Sequence, residues 1–106
     1  MIKEITAKDL KARLDSGESL QIIDVREAWE VEIGTIDGAL HIPMNDIPDS
    51  LEQIPDDKTV IFMCHTGMRS AQVTYWMQRQ GYENVLNLSG GIDEWSRVID
   101  PSIPQY

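Results

Sequence analysis

Thr59-Val60-Ile61-Phe62-Met63, followed without a break by Cys64-His65-Thr66-Gly67-Met68-Arg69-Ser70, is the stretch on which the fold turns. Five consecutive apolar or β-branched residues predict a strand. A helical pattern follows from about Ser70 to Gln80, with Val73, Trp76 and Met77 on one face and Gly81 as its stop. The six residues between strand and helix, Cys64 to Arg69, therefore form a tight loop. In that position successive backbone N–H groups turn toward a common centre, with the positive end of the helix dipole behind them, and cradle an anion. Cys64, the only cysteine of the chain, is expected at the mouth of the cradle.

By default a lone cysteine is a small buried hydrophobe. Its place at a strand end before a Gly-containing turn points instead to a working thiolate, which a helix N-terminus and a neighbouring cation both favour. Arg69 supplies the cation, with planar donors for an oxyanion, and Gly67 can aim its N–H inward where a Cβ would resist. Such a loop suits an anionic substrate whose central atom the sulfur attacks.

Outward from this stretch, apolar runs alternate with helical patterns. Residues 2–5 predict a first strand; Thr6 with Asp9 three positions on starts a helix that carries Leu10 and Leu14 and stops at Gly17. Leu20 to Val25 is a strand with too little alternation to have one face in water, so helices must cover both faces. Asp24 and Arg26 fall at its carboxyl end, where open α/β sheets place their ligands. Asp24 is read as bracing nearby loops, by pairing with Arg26, rather than as touching substrate; Arg26 suits either role. A short helix through Ala28, Trp29 and Val31, a short strand at 39–42 and a short helix between Pro43 and Pro55 come next. Trp29 and His41 are read as packing residues. Val85 to Leu88 predicts the last strand, Ser89-Gly90-Gly91 a close backbone approach at its end, and Ile92, Trp95 and Ile99 a final helix closed by Pro101. The expected architecture is a single three-layer α/β domain over residues 1–106, with a largely parallel five-stranded sheet and helices on both faces.

Composition narrows the function. A chain of 106 residues can bury a core without disulfides or a structural metal. His41 and His65 have no ligand-like spacing with Cys64, so neither a metal nor another cofactor is expected. The net charge of −9 argues against nucleic-acid binding, and a small dianion must be captured against a repulsive field by the loop alone. Met1-Ile2-Lys3-Glu4-Ile5 carries charge too early for a secretory leader or a membrane segment, which leads to an expected cytoplasmic location. A reducing compartment also keeps a thiolate uncapped.

Cys64-x-x-Gly67-x-Arg69-Ser70 resembles the active-site loop of rhodanese-like sulfurtransferases. Asp24-Val25-Arg26-Glu27, Glu32 to Pro43, Leu88-Ser89-Gly90-Gly91 with Trp95, and the tail Asp100-Pro101-Ser102-Ile103-Pro104-Gln105-Tyr106 agree with it in order and spacing. The resemblance implies a sheet with the cysteine strand near its centre and a Cys64 persulfide as intermediate. Sulfur would come from thiosulfate or a persulfide donor and pass to cyanide, a small thiol or a protein acceptor. It further implies that His65, Thr66, Gly67, Met68, Arg69 and Ser70 shape the substrate site. Arg69 either binds the sulfonate end of thiosulfate or braces the loop by pairing with a carboxylate. Two alternatives differ in chemistry. A carrier-type or non-catalytic module would use the fold to recognise a protein partner, and Glu30 points toward a carrier because larger thiosulfate-using relatives tend to have a basic residue near this position. A cysteine phosphatase or arsenate reductase needs five residues between Cys and Arg, whereas four stand between Cys64 and Arg69.

Overall fold

The computed structural model describes residues 2–106. Its elements are β1 (Glu4–Ile5), α1 (Ala7–Asp15), β2 (Leu20–Asp24), α2 (Ala28–Ile33), β3 (Leu40–His41), β4 (Thr59–Met63), α3 (Met68–Arg79), β5 (Val85–Leu88) and α4 (Gly91–Val98). Two 3₁₀ helices, Met44–Asp49 and Leu51–Gln53, connect β3 to β4. All five strands run parallel in the order β1-β5-β4-β2-β3. The cysteine strand is thus central, and the carboxyl ends of β2, β4 and β5 open on one edge.

Side chains of β4 alternate between two cores, as a strand's period of two requires. Ile61 and Met63 join Leu10 of α1 and Ile92 and Trp95 of α4 on one face. Val60, Phe62 and Cys64 join Val73 and Met77 of α3 with Ile47 and Ile54 on the other. Phe62 is fully buried, and its truncation to Ala is expected to cost about 3–5 kcal/mol. Thr6 caps α1 as its sequence position predicts, accepting from the Asp9 N–H at 3.1 Å.

The structure shortens several expected elements. β1 holds only Glu4 and Ile5, so Ile2 and Lys3 precede the strand, although the Lys3 carbonyl already accepts the Asn87 N–H of β5 at 2.9 Å. β3 likewise holds two residues of the four expected. The segment between Pro43 and Pro55 forms two 3₁₀ turns instead of one helix, because Pro48 falls inside the first turn set and has no N–H to extend an α-helical ladder. Ile47 and Ile54 still reach the core. α3 starts at Met68, two residues before the expected Ser70: Gly67 has φ +102° and its carbonyl already accepts the Ala71 N–H at 3.1 Å. Among the described residues no helix is long and apolar enough to cross a membrane.

Candidate active site

β4 ends by placing Cys64 against the N-terminus of α3, and the loop closes on the sulfur itself. The Gly67 N–H donates to Sγ at 3.1 Å and the Ser70 N–H at 3.4 Å, with Ser70 Oγ at 3.3 Å. Cys64 is only 1% exposed, so it lies within the cradle and not at its mouth. Several donors converging on one atom is the arrangement that stabilises negative charge on it, and α3 adds its dipole along the same direction.

The loop is held from behind by the turn after β5. The Ile92 N–H bonds the Cys64 carbonyl at 2.9 Å, and the Asp93 N–H bonds that of His65 at 3.0 Å. A Cβ at Gly91, which has φ +59°, would stand 2.4 Å from the His65 carbonyl oxygen and 2.6 Å from that of Cys64. Ser89-Gly90-Gly91 thus makes the close backbone approach expected of it, and the surface it approaches is the cysteine loop.

Two ion pairs organise the charges. Arg26 and Asp24 are both buried, with Nε to Oδ1 at 2.9 Å and NH2 to Oδ2 at 2.7 Å. The remaining Arg26 donors reach the Gly34 carbonyl at 2.7 Å, the Glu30 carbonyl at 3.3 Å and the Tyr106 hydroxyl at 2.9 Å. All five guanidinium donors are engaged, so Arg26 is a brace between loops and has none left for substrate. Thr35 Oγ1 adds a bond to Asp24 at 2.9 Å.

Arg69 forms a bidentate pair with Glu30, both bonds at 2.8 Å. The pairing with a carboxylate left open by the sequence is the one present, and the guanidinium is not free to receive a sulfonate unopposed. The Arg69 fork is the main reason that the Glu30 carboxyl is lowered from 4.5 to about 2; the Tyr106 hydroxyl and the Glu27 N–H reinforce it against desolvation. Glu30 in turn raises Arg69 above its usual range, and Cys64 adds a smaller attraction.

Of the other loop residues, Thr66 and Met68 are exposed, Met68 by 74%. His65 lies stacked on Tyr106, ring centroids 3.9 Å apart and planes at 10°. Trp29, read as a packing residue, is 59% exposed and packs against the edge of Tyr106 at 6.0 Å. His41 directs Nε2 at the Arg26 carbonyl at 2.7 Å. Tyr106, Asn87 and Glu4 are the members of this neighbourhood that the sequence reading missed. Tyr106 was visible there only as part of a tail, and Asn87 sits inside a strand whose neighbours are apolar. Among the described residues no group of three or more His, Cys, Asp or Glu is placed to hold a metal ion.

The family profile described as Rhodanese-like domain matches residues 6–98. YtwF of Bacillus subtilis, a sulfurtransferase by assignment, is 42% identical over 100 residues, covering 94% of this chain and 96% of its own. A sulfurtransferase of Allochromatium vinosum is 40% identical over 97 residues, covering 92% and 91%. Among solved structures, the human single-domain sulfurtransferase TSTD1 superposes with a TM-score of 0.80 at 28% identity, over 92% of this chain and 98% of that one.

Proposed function

The chain belongs to the rhodanese-like domain family, a sulfur-transfer role follows from its relatives, and on that footing we propose that Cys64 carries the transferred sulfur as a persulfide. The observation that supports this most is the convergence of the Gly67 and Ser70 N–H groups on Sγ. The Cys64 thiolate attacks the outer sulfur of thiosulfate, the S–S bond of the donor breaks, and sulfite leaves with the electron pair. A persulfide anion remains on Cys64. Cyanide, a thiolate or a protein acceptor then attacks the outer sulfur, and Cys64 departs as the thiolate. No outside oxidant or reductant is required.

The ring size favours this chemistry over phosphoryl transfer. Four residues between Cys64 and Arg69 direct the N–H groups at one atom, whereas the three equatorial oxygens of a phosphoryl group need a wider ring. A reducing cytosol is the compartment that suits such a thiolate.

A second reading, a carrier loaded by a protein or small-molecule persulfide, is favoured by one observation. Arg69 is already neutralised by Glu30, so thiosulfate must compete with a carboxylate for the only cation in the loop. Intact mass after incubation with thiosulfate, and separately with a glutathione persulfide, tests both. One added sulfur atom on Cys64 from either donor is the expected result. No added sulfur from either would remove the persulfide mechanism.

A further inference from the structure

Asn87, on β5 and 1% exposed, touches the cysteine loop at two points. Its Nδ2 faces two oxygens, Glu4 Oε2 at 2.9 Å and the Gly67 carbonyl at 3.2 Å. A carbonyl cannot donate, nor can an ionised carboxylate, so both positions demand the NH₂ end of the amide. Oδ1 must therefore be the atom that faces Ser70, at 2.5 Å from Oγ. As an acceptor only, it takes the Ser70 hydroxyl proton.

A serine hydroxyl has one proton to give. Ser70 Oγ also stands 3.3 Å from Cys64 Sγ. With its proton directed at Asn87, Ser70 presents a lone pair to the sulfur, which suits the S–H of a thiol and not a thiolate. When the thiolate forms, Ser70 can turn its proton to the sulfur only by leaving Asn87 Oδ1 as a buried acceptor without a partner, an unfavourable state. The third donor of the cradle is thus contested, while the two backbone N–H donors are not.

We propose that Asn87 is a positioning residue for the reaction at Cys64, acting through Ser70: it competes with the sulfur for the hydroxyl proton and so limits how firmly the cradle holds the thiolate. The same side chain bonds the Gly67 carbonyl, but the Ala71 N–H holds that carbonyl as well, so the effect of Asn87 on the sulfur runs through Ser70. The inference rests on Cys64 being the reacting group. It does not depend on which donor supplies the sulfur.

Other charges around the sulfur stay constant across the test. They are the charged Arg69 of the loop, Glu30 of α2, the Asp24–Arg26 pair at the end of β2, and Asp93 and Glu94 in the first turn of α4, with the titratable His65 and Tyr106 beside them. Glu4, at the far side of Asn87, is exposed and water replaces its lost bond. The Gly67 carbonyl keeps the Ala71 N–H.

The test is the pH dependence of alkylation by iodoacetamide, which reports on Cys64 alone because the chain has no other cysteine. Wild type, Asn87→Ala, Ser70→Ala and the double variant are compared, with Asn87→Leu as a volume-keeping substitute should the Ala variant fold poorly. Freeing Ser70 from Asn87 is expected to lower the pH midpoint by about half to one unit. In the Ser70→Ala background the Asn87 substitution is expected to leave the midpoint in place. A midpoint that is unmoved or raised in Asn87→Ala, or lowered equally with and without Ser70, overturns the proposal and leaves Asn87 a structural residue. Persulfide mass measured on the same wild-type sample separates this result from the sulfur-transfer reading: a coupled shift without a persulfide removes that reading and keeps this one.

Discussion

The Tyr106 hydroxyl donates to Glu30 Oε2 at 2.7 Å although 76 positions separate the two residues. The Tyr106 hydroxyl oxygen in turn accepts from Arg26 at 2.9 Å, and the Tyr106 ring stacks on His65. One side chain therefore joins the buried Asp24–Arg26 brace, the carboxylate that holds Arg69 and the residue next to Cys64. Removing the hydroxyl by Tyr106→Phe is expected to destabilise the protein by about 1–3 kcal/mol, since an ionised acceptor and a guanidinium each lose a partner, while the ring stack survives. Tyr106→Ala should lose more and speed alkylation of Cys64. Urea unfolding and alkylation rates of the two variants check this, and equal values for both would show that the stack contributes nothing.

Glu30 gives the domain a specific acid sensitivity. Its folded carboxyl is lowered to about 2 from 4.5, so the pair contributes stability that is fully present above about 4.5 and is lost as pH falls through about 2. Glu30→Gln should flatten the stability profile across that window, because no proton is then taken up there on unfolding. The same substitution frees the Arg69 fork. A lower KM for thiosulfate is expected in Glu30→Gln, and steady-state kinetics at neutral pH would read it; an unchanged KM would mean that Arg69 does not contact the sulfonate.

Cys64→Ser should fold and show no thiosulfate:cyanide transfer, because an alkoxide is far harder to form than a thiolate. Arg69→Lys keeps the charge but not the planar fork that matches both Glu30 oxygens, so turnover should already fall, and Arg69→Ala should lower it further. The Ala variant also leaves the Glu30 carboxylate with Tyr106 as its only remaining side-chain partner, for an expected loss of about 1–3 kcal/mol. Full turnover in Cys64→Ser would end the proposed mechanism.

Gly91→Ala is expected to be the most damaging of the Gly→Ala changes. The added Cβ would sit 2.4 Å from a backbone oxygen of His65 in a left-handed conformation, and neither partner is a flexible side chain that can move aside. A destabilisation of at least about 3 kcal/mol follows from strain and overlap together. Relief of the overlap pushes the Cys64–His65 backbone off the turn, so transfer should fall even where the variant stays folded. Thermal unfolding and turnover at a temperature where both proteins are folded would distinguish the two effects.

Where a residue's partner was near in sequence or its pattern was periodic, the sequence was readable. β4 and β5 have the expected boundaries because their apolar runs end at Cys64 and at Ser89-Gly90-Gly91. Thr6 and the Asp24–Arg26 pair were legible because the partners lie three and two positions apart. Long-range pairing was not. No local signal joins Glu30 to Arg69 across 39 positions, or Tyr106 to His65, or Asn87 to the loop, or Trp29 to the Tyr106 ring it packs against. The 3₁₀ turns were missed because apolar spacing at Ile47, Leu51 and Ile54 fits an α-helix, while the missing N–H of Pro48 decides against one.

The tail that supplies Tyr106 is held at two points, Ile103 in the core and Tyr106 itself. After α4, Pro101 and Ser102 form an exposed turn, and only Ile103 is buried before the chain reaches Tyr106. A single proteolytic nick in that turn would release Ile103 and Tyr106 while leaving every strand and helix covalently intact. Arg26, Glu30 and His65 would each lose a partner at once, and the sheet would keep its ladder while losing Ile103 from one of its two cores. Damage around Cys64 can thus be separated from loss of secondary structure, so a trimmed molecule is expected to pass a circular-dichroism check and still fall short in the proposed transfer.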